Sequence, residues 1–138
     1  MSWKEKAKEW GGGDITFLSS DGECLIFVAV AEPVLLEGVF KGKPQDRIGC
    51  PIVTDEGFQL FVTGKRVFRK LSKFEDKFNT HAFMVVRHGG EGDINAKYDV
   101  SLLDDSAKTV QLFDIAKKEY KPALLKQAIE DAQKVMKA

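Results

Sequence analysis

The sequence predicts a mainly β protein of the α+β class. The expected core is a five-stranded Greek-key barrel with one helix between strands 3 and 4, followed by an amphipathic helix at the C-terminus. Three observations carry that prediction. Short runs rich in Val, Ile, Leu and Phe recur between Ile15 and Leu103, separated by Gly, Pro, Asp and Ser at turn-forming positions. One segment inside this β region, at Val67, Phe68 and Leu71, has helical rather than alternating spacing. From Pro122 onward the apolar positions follow a helical stripe. A chain of 138 residues, 43% hydrophobic and 30% charged, can bury a core of this size. The expected organisation is an N-terminal arm over 1–13, the barrel over 14–104 and a helical extension over 105–138.

Taken in order, residues 2–10 suit a short helix with Trp3, Ala7 and Trp10 on one face, broken by Gly11-Gly-Gly13. Ile15–Leu18 reads as a strand and Ser19–Gly22 as a turn. Glu23–Val30 is apolar on both faces, as a central strand covered twice would be. Val34–Lys41 continues as a strand, and Gly42-Lys-Pro44 turns the chain. In Gln45–Thr54, Ile48, Cys50 and Ile52 share one face, and Pro51 suggests an edge or a bulge. Asp55-Glu-Gly57 leads into strand Phe58–Thr63. The helix through Val67, Phe68 and Leu71 follows, with Phe74 extending its apolar face. Thr80–His88 and Ala96–Leu103 are the last strands, joined by the polar loop Gly89–Asn95.

Ala107–Tyr120 is mixed in pattern and read as helix. Pro122 stands where a helix starts, and Leu124, Leu125, Ala128, Ile129, Ala132, Val135 and Met136 form one stripe. Strand, strand, strand, helix, strand, strand is the layout of an oligonucleotide-binding (OB-like) barrel. In that layout 14–18 and 23–30 form one bent first strand, and 45–54 and 57–63 together supply the third.

Several chemistries find no support. No apolar run approaches the ~20 residues of a membrane span, and Met1–Trp10 lacks the apolar core of a signal peptide, so a cytoplasmic location is expected. Cys24 and Cys50 are expected as reduced, buried thiols. There is no Cys-x-x-Cys and no Gly-x-Ser-x-Gly. His81 and His88 fall on opposite faces of one strand. Gly42-Lys-Pro44 lacks the Gly-Lys-Ser/Thr of a phosphate loop. The expectation is a protein without catalytic residues, metal or cofactor.

The charge distribution is more informative. Net charge is zero, but residues 1–40 carry 3 Lys and 7 acids, whereas residues 41–98 carry 11 Lys and Arg against 7 acids. Between Lys65 and Lys73 stand five cations (Lys65, Arg66, Arg69, Lys70, Lys73) and no acid. Phe58, Phe61, Phe68, Phe83 and Tyr98 are interleaved around them. Cations that follow a phosphate backbone, beside rings that stack on bases, are what single-stranded nucleic-acid binding requires.

The run Lys65-Arg-Val-Phe-Arg-Lys-Leu71, then Val86-Arg-His-Gly-Gly-Glu-Gly-Asp93, then Lys97-Tyr98 resembles small bacteriophage single-stranded DNA-binding proteins of the OB-fold type. In such proteins a basic-aromatic helix precedes an Arg-x-Gly turn and a Tyr-bearing strand. The resemblance spans roughly residues 14–104. It implies non-sequence-specific binding of single-stranded DNA in support of replication or recombination, in the host cytoplasm if the protein is viral. The C-terminal helix departs from the acidic recruiting tail common among such proteins.

Expected phosphate contacts are Lys41, Lys43, Arg47, Lys65, Arg66, Arg69, Arg87 and Lys97. Expected stacking rings are Phe40, Phe61 and Tyr98, with His88 able to stack or bond a phosphate. The expected partners are single-stranded DNA, a replication or recombination protein, and a second copy through the C-terminal helix. The alternative is a small β-barrel interaction module that docks through that helix and binds no nucleic acid.

Overall fold

The computed structural model describes residues 15–18, 20–40, 42–90 and 95–137. The expected helix over 2–10 with its tryptophans, Lys41, and most of the 89–95 loop lie outside the described residues. Among the described residues nine strands and three helices follow one another in the order β1 (Ile15–Thr16), β2 (Cys24–Ala29), β3 (Val34–Leu36), β4 (Val39–Phe40), β5 (Lys43–Pro44), β6 (Arg47–Thr54), β7 (Gly57–Thr63), α1 (Lys65–Ser72), β8 (Phe83–His88), β9 (Lys97–Leu102), α2 (Ser106–Glu119) and α3 (Pro122–Lys137), with a 3-10 turn at Glu75–Lys77.

Seven strands make one open mixed sheet in the order β1-β7-β6-β2-β8-β9, with β3 also on β6; β4 and β5 form a separate two-stranded ribbon. The centre is the hairpin β6–β7, paired from Ile48↔Thr63 to Thr54↔Gly57. Gly57 closes its turn at φ 102, a conformation that favours glycine. β1 lies parallel to β7, with Ile15 opposite Leu60. On its other edge β6 takes β3 at residues 47–49 and β2 at residues 52–53. Pro51 falls at the gap between those two neighbours. Its carbonyl accepts from Val30 N at 3.1 Å, and no partner there needs the N–H that proline lacks. β2 pairs with β8 over Cys24–Phe27 before joining β6 at Val28.

The closed five-stranded barrel is therefore not formed: β1 and β9 stand at the two ends of the strand order. The reason lies in two local features. The turn at Ser20–Glu23, with Gly22 at φ 78, separates β1 from β2, so the two do not act as one bent strand. Residues 47–54 and 57–63 are two full strands folded on each other rather than one third strand.

Both sheet faces are covered. On one face, Phe27, Ile48, Cys50, Ile52, Phe61, Phe83 and Val85 pack with Val67 and Leu71 of α1. Phe83 is central there, with ring centroids 6.0 Å from Phe27, 6.0 Å from Phe74 and 5.2 Å from Phe78. On the other face, Val28, Leu36, Val53, Phe58, Leu60 and Val62 pack with Leu112 of α2 and Ala128 and Ala132 of α3. Asp105 caps α2 by accepting from Lys108 N at 3.0 Å, and Pro122 opens α3. The described part of the C-terminal stripe thus lies on the sheet, with Leu124, Leu125 and Ile129 packed at its margin. Both cysteines are free. Cys50 is buried as expected, whereas Cys24 is exposed. No helix among the described residues is long and apolar enough to cross a membrane.

Candidate nucleic-acid interface

The basic segment folds as α1 because Val67 and Leu71, one turn apart, bury against the sheet and leave the cations outside. Lys65, Arg66, Arg69 and Lys73 are all exposed. None of the four has an ion-pair partner among the described residues, where the ion pairs are His88–Asp99 and Lys108–Asp55. Arg66, Arg69 and Lys73 follow one another at spacings of three and four, which aligns them along one side of the helix. Lys70 is committed elsewhere: its Nζ donates to the carbonyl of Tyr98 at 2.6 Å and ties α1 to β9.

The start of α1 is positively charged. Its N-cap is Gly64, which makes no side-chain cap, and its first turn holds no acid. Lys65 and Arg66 instead add positive charge at the positive end of the helix dipole, at a cost of about 0.3–1 kcal/mol each. Arg47 adds a third cation, since a Cβ on Gly64 would stand 3.3 Å from its Nη1.

That helix start opens on a cavity of about 330 Å³, whose wall includes Phe17, Arg47, Thr63, Gly64, Arg87 and Tyr98. Arg87 is only 8% exposed. Its Nε donates to Gly89 O at 3.0 Å, Nη2 to Gly90 O at 2.8 Å, and Nη1 to Leu18 O at 3.4 Å and to the Tyr98 hydroxyl. The guanidinium also lies against the Tyr98 ring, 5.5 Å from its centroid. Arg87 therefore joins the segment after β1 to the β8–β9 pair, and every one of these acceptors is neutral.

The expected site residues separate into groups. Lys65, Arg66 and Arg69 lie together on α1. Arg47, Arg87 and Tyr98 meet at the cavity. Lys43 is exposed on the β4–β5 ribbon, which precedes the Arg47 end of β6. Lys97 is exposed on β9, opposite His88. Three expectations need correction. Phe61 is 1% exposed and packs in the core against Phe27, the two rings tilted by 52°, so its ring is closed to a base. Arg87 is a buried wall of the cavity rather than a surface phosphate contact. His88 is exposed but bonded to Asp99 at 2.7 Å, whose carboxylate would repel a phosphate brought to that ring. The Phe40 side chain and Lys41 lie outside the described residues.

Sequence reasoning missed Phe17, Thr63 and Gly64. Phe17 is 46% exposed at the cavity, and its alternation with buried Leu18 was the available signal. Gly64 was legible only as a break before a helix. Among the described residues no group of His, Cys, Asp and Glu is placed to hold a metal ion. No protein-family model, curated protein or solved structure matches this chain.

Proposed function

We propose that the protein binds single-stranded DNA without sequence specificity, using the outer face of α1 to follow the phosphate backbone. The observation that carries this reading is a set of four exposed cations with no ion-pair partner among the described residues: Lys65, Arg66 and Arg69 on α1, and Lys73 at its C-cap. Lys65 and Arg66 in the first turn oppose the helix dipole, and local features set against stability concentrate at functional sites. Arg47 extends the positive surface at the helix start, and Tyr98 and Phe17 supply rings at the cavity it lines. Phosphate contacts and stacking read no base edges, so sequence preference is weak. The resemblance of the basic helix, the Arg87-His88-Gly89 turn and the Tyr98 strand to phage single-stranded DNA-binding proteins points the same way. It makes DNA replication or recombination, in a host cytoplasm, the setting we propose.

Self-association through α3 is not part of the proposal, because the described part of its apolar stripe is spent on the sheet. The same packing weakens the alternative of an interaction module that docks through that helix. The test is fluorescence anisotropy of a labelled dT oligomer of about 30 nucleotides at two salt concentrations, with duplex of equal length as competitor. Binding that salt weakens and duplex competes poorly is expected. A flat titration at low salt rejects the reading.

A further inference from the structure

We propose that the cavity at the start of α1 is a nucleotide pocket, with one phosphate group held between the guanidinium groups of Arg47 and Arg87 and the base laid on Phe17. Two cations share the wall of one cavity, and among the described residues no carboxylate lines it. Arg87 is almost wholly buried, yet among the described residues its guanidinium reaches only three carbonyls and the Tyr98 hydroxyl. A guanidinium taken out of water without a counter-charge costs several kcal/mol, and a second cation facing the same space adds to that cost. An anion in the cavity relieves both.

The anion has a recognisable chemistry. The Arg47 side chain makes no hydrogen bond or ion pair to a described residue, so its planar fork is free for the bidentate contact that phosphate oxygens accept. The uncapped start of α1 adds backbone N–H groups at Gly64 and beyond. The rest of the wall is not that of a simple ion site. Phe17, exposed, and Tyr98, half-buried, offer ring surface beside the charges. A space of about 330 Å³ is at the small end of the roughly 300–1,000 Å³ found for ligand pockets. It suits one nucleotide rather than a longer strand. Choosing a nucleotide among phosphate compounds rests on the single-strand reading above; the phosphate seat itself does not.

The first experiment is an amide ¹H–¹⁵N NMR titration of the full chain with dTMP, thymidine and inorganic phosphate, repeated for dTMP with Arg47→Gln. We expect dTMP to shift the amides of Phe17, Thr63, Gly64 and Tyr98, thymidine to leave them in place, and Arg47→Gln to weaken dTMP at least tenfold. Inorganic phosphate should move the Gly64 amide but not that of Phe17. No shift with dTMP, equal shifts with thymidine, or undiminished affinity in Arg47→Gln would overturn the pocket. The wild-type titrations stand even if the variant does not fold. A dT oligomer with and without a terminal phosphate separates the two sources of the group: tighter binding of the phosphorylated form assigns a strand end, and equal binding an internal diester. Seating of dTMP without any binding of the oligomer keeps the pocket and rejects the single-strand function.

Discussion

The salt dependence of binding can be worked from α1 directly. Four exposed cations, each neutralising one phosphate at roughly −0.7 per contact on a single strand, give a slope of log K against log salt of about −2.8. Between 50 and 200 mM salt that slope weakens binding about 50-fold. Arg66→Ala with Arg69→Ala leaves two contacts, a slope of about −1.4 and a weakening of only about 7-fold over the same range. Both side chains are exposed and no bond of theirs to another side chain is seen among the described residues, so the fold should survive their loss. The assay is the anisotropy titration at five or six salt concentrations, with circular dichroism of the double variant to establish that α1 is retained. A slope unchanged in the double variant would refute the argument, because the strand would then be held by other charges. A wild-type slope near zero would refute it more deeply, since no phosphate would be neutralised at all.

Five other outcomes follow from the packing and the charges. Burial pushes the Cys50 thiol from its ordinary value of 9.0 up to about 12, so in native protein an aromatic disulfide reagent should titrate one thiol, Cys24, and reach Cys50 only after unfolding. The same shift means that this group's contribution to stability is intact below pH 9 and is lost as the pH rises toward 12, which alkaline unfolding of Cys50→Ala against wild type would measure. Gly49→Ala sets a methyl 3.1 Å from side chains of Leu60 and Val34, and denaturant unfolding should show a loss of about 1–3 kcal/mol. Phe83→Ala removes a ring that touches three others in the core and should cost ~3–5 kcal/mol by the same measurement. Lys65→Glu should stabilise α1 by on the order of 1 kcal/mol through the helix dipole while weakening oligonucleotide binding.

Much of the local structure was legible. The face shared by Ile48, Cys50 and Ile52, the helix at Val67, Phe68 and Leu71, and the stripe from Leu124 to Ala132 follow from periodicity, and the structure has all three. The pairing was not legible, because it is long-range. β1 finds its neighbour at Leu60, and β2 serves two neighbours in turn. A count of strands along the chain does not fix such partners. Phe61 shows why one ring assignment failed. Gln59 and Thr63 flank it on the same face, and polar neighbours of that kind usually mark solvent. Here β7 is covered on both sides, Gln59 is 9% exposed, and its Oε1 accepts from Thr16 Oγ1 at 2.6 Å. Arg87 is the opposite case. Its alternation with Phe83 and Val85 places it on the inner face, a signal that the sequence carries and that its charge obscured.

The cavity and the helix face are consequences of one arrangement. β6 begins at Arg47 where β7 ends at Thr63, so the turn from β7 into α1 brings Gly64 beside the Arg47 side chain. Lys70 then ties α1 to the backbone of Tyr98, whose hydroxyl meets Arg87. Three positive groups and an uncapped helix start converge at this corner, and each is unfavourable for folding by itself. An aspartate at position 64 or a glutamate at 65 would relieve the helix locally. The opposed effects expected of Lys65→Glu, greater stability and weaker binding, therefore test more than one residue. They ask whether the charge at this corner is held against the preference of the fold because an anion completes it.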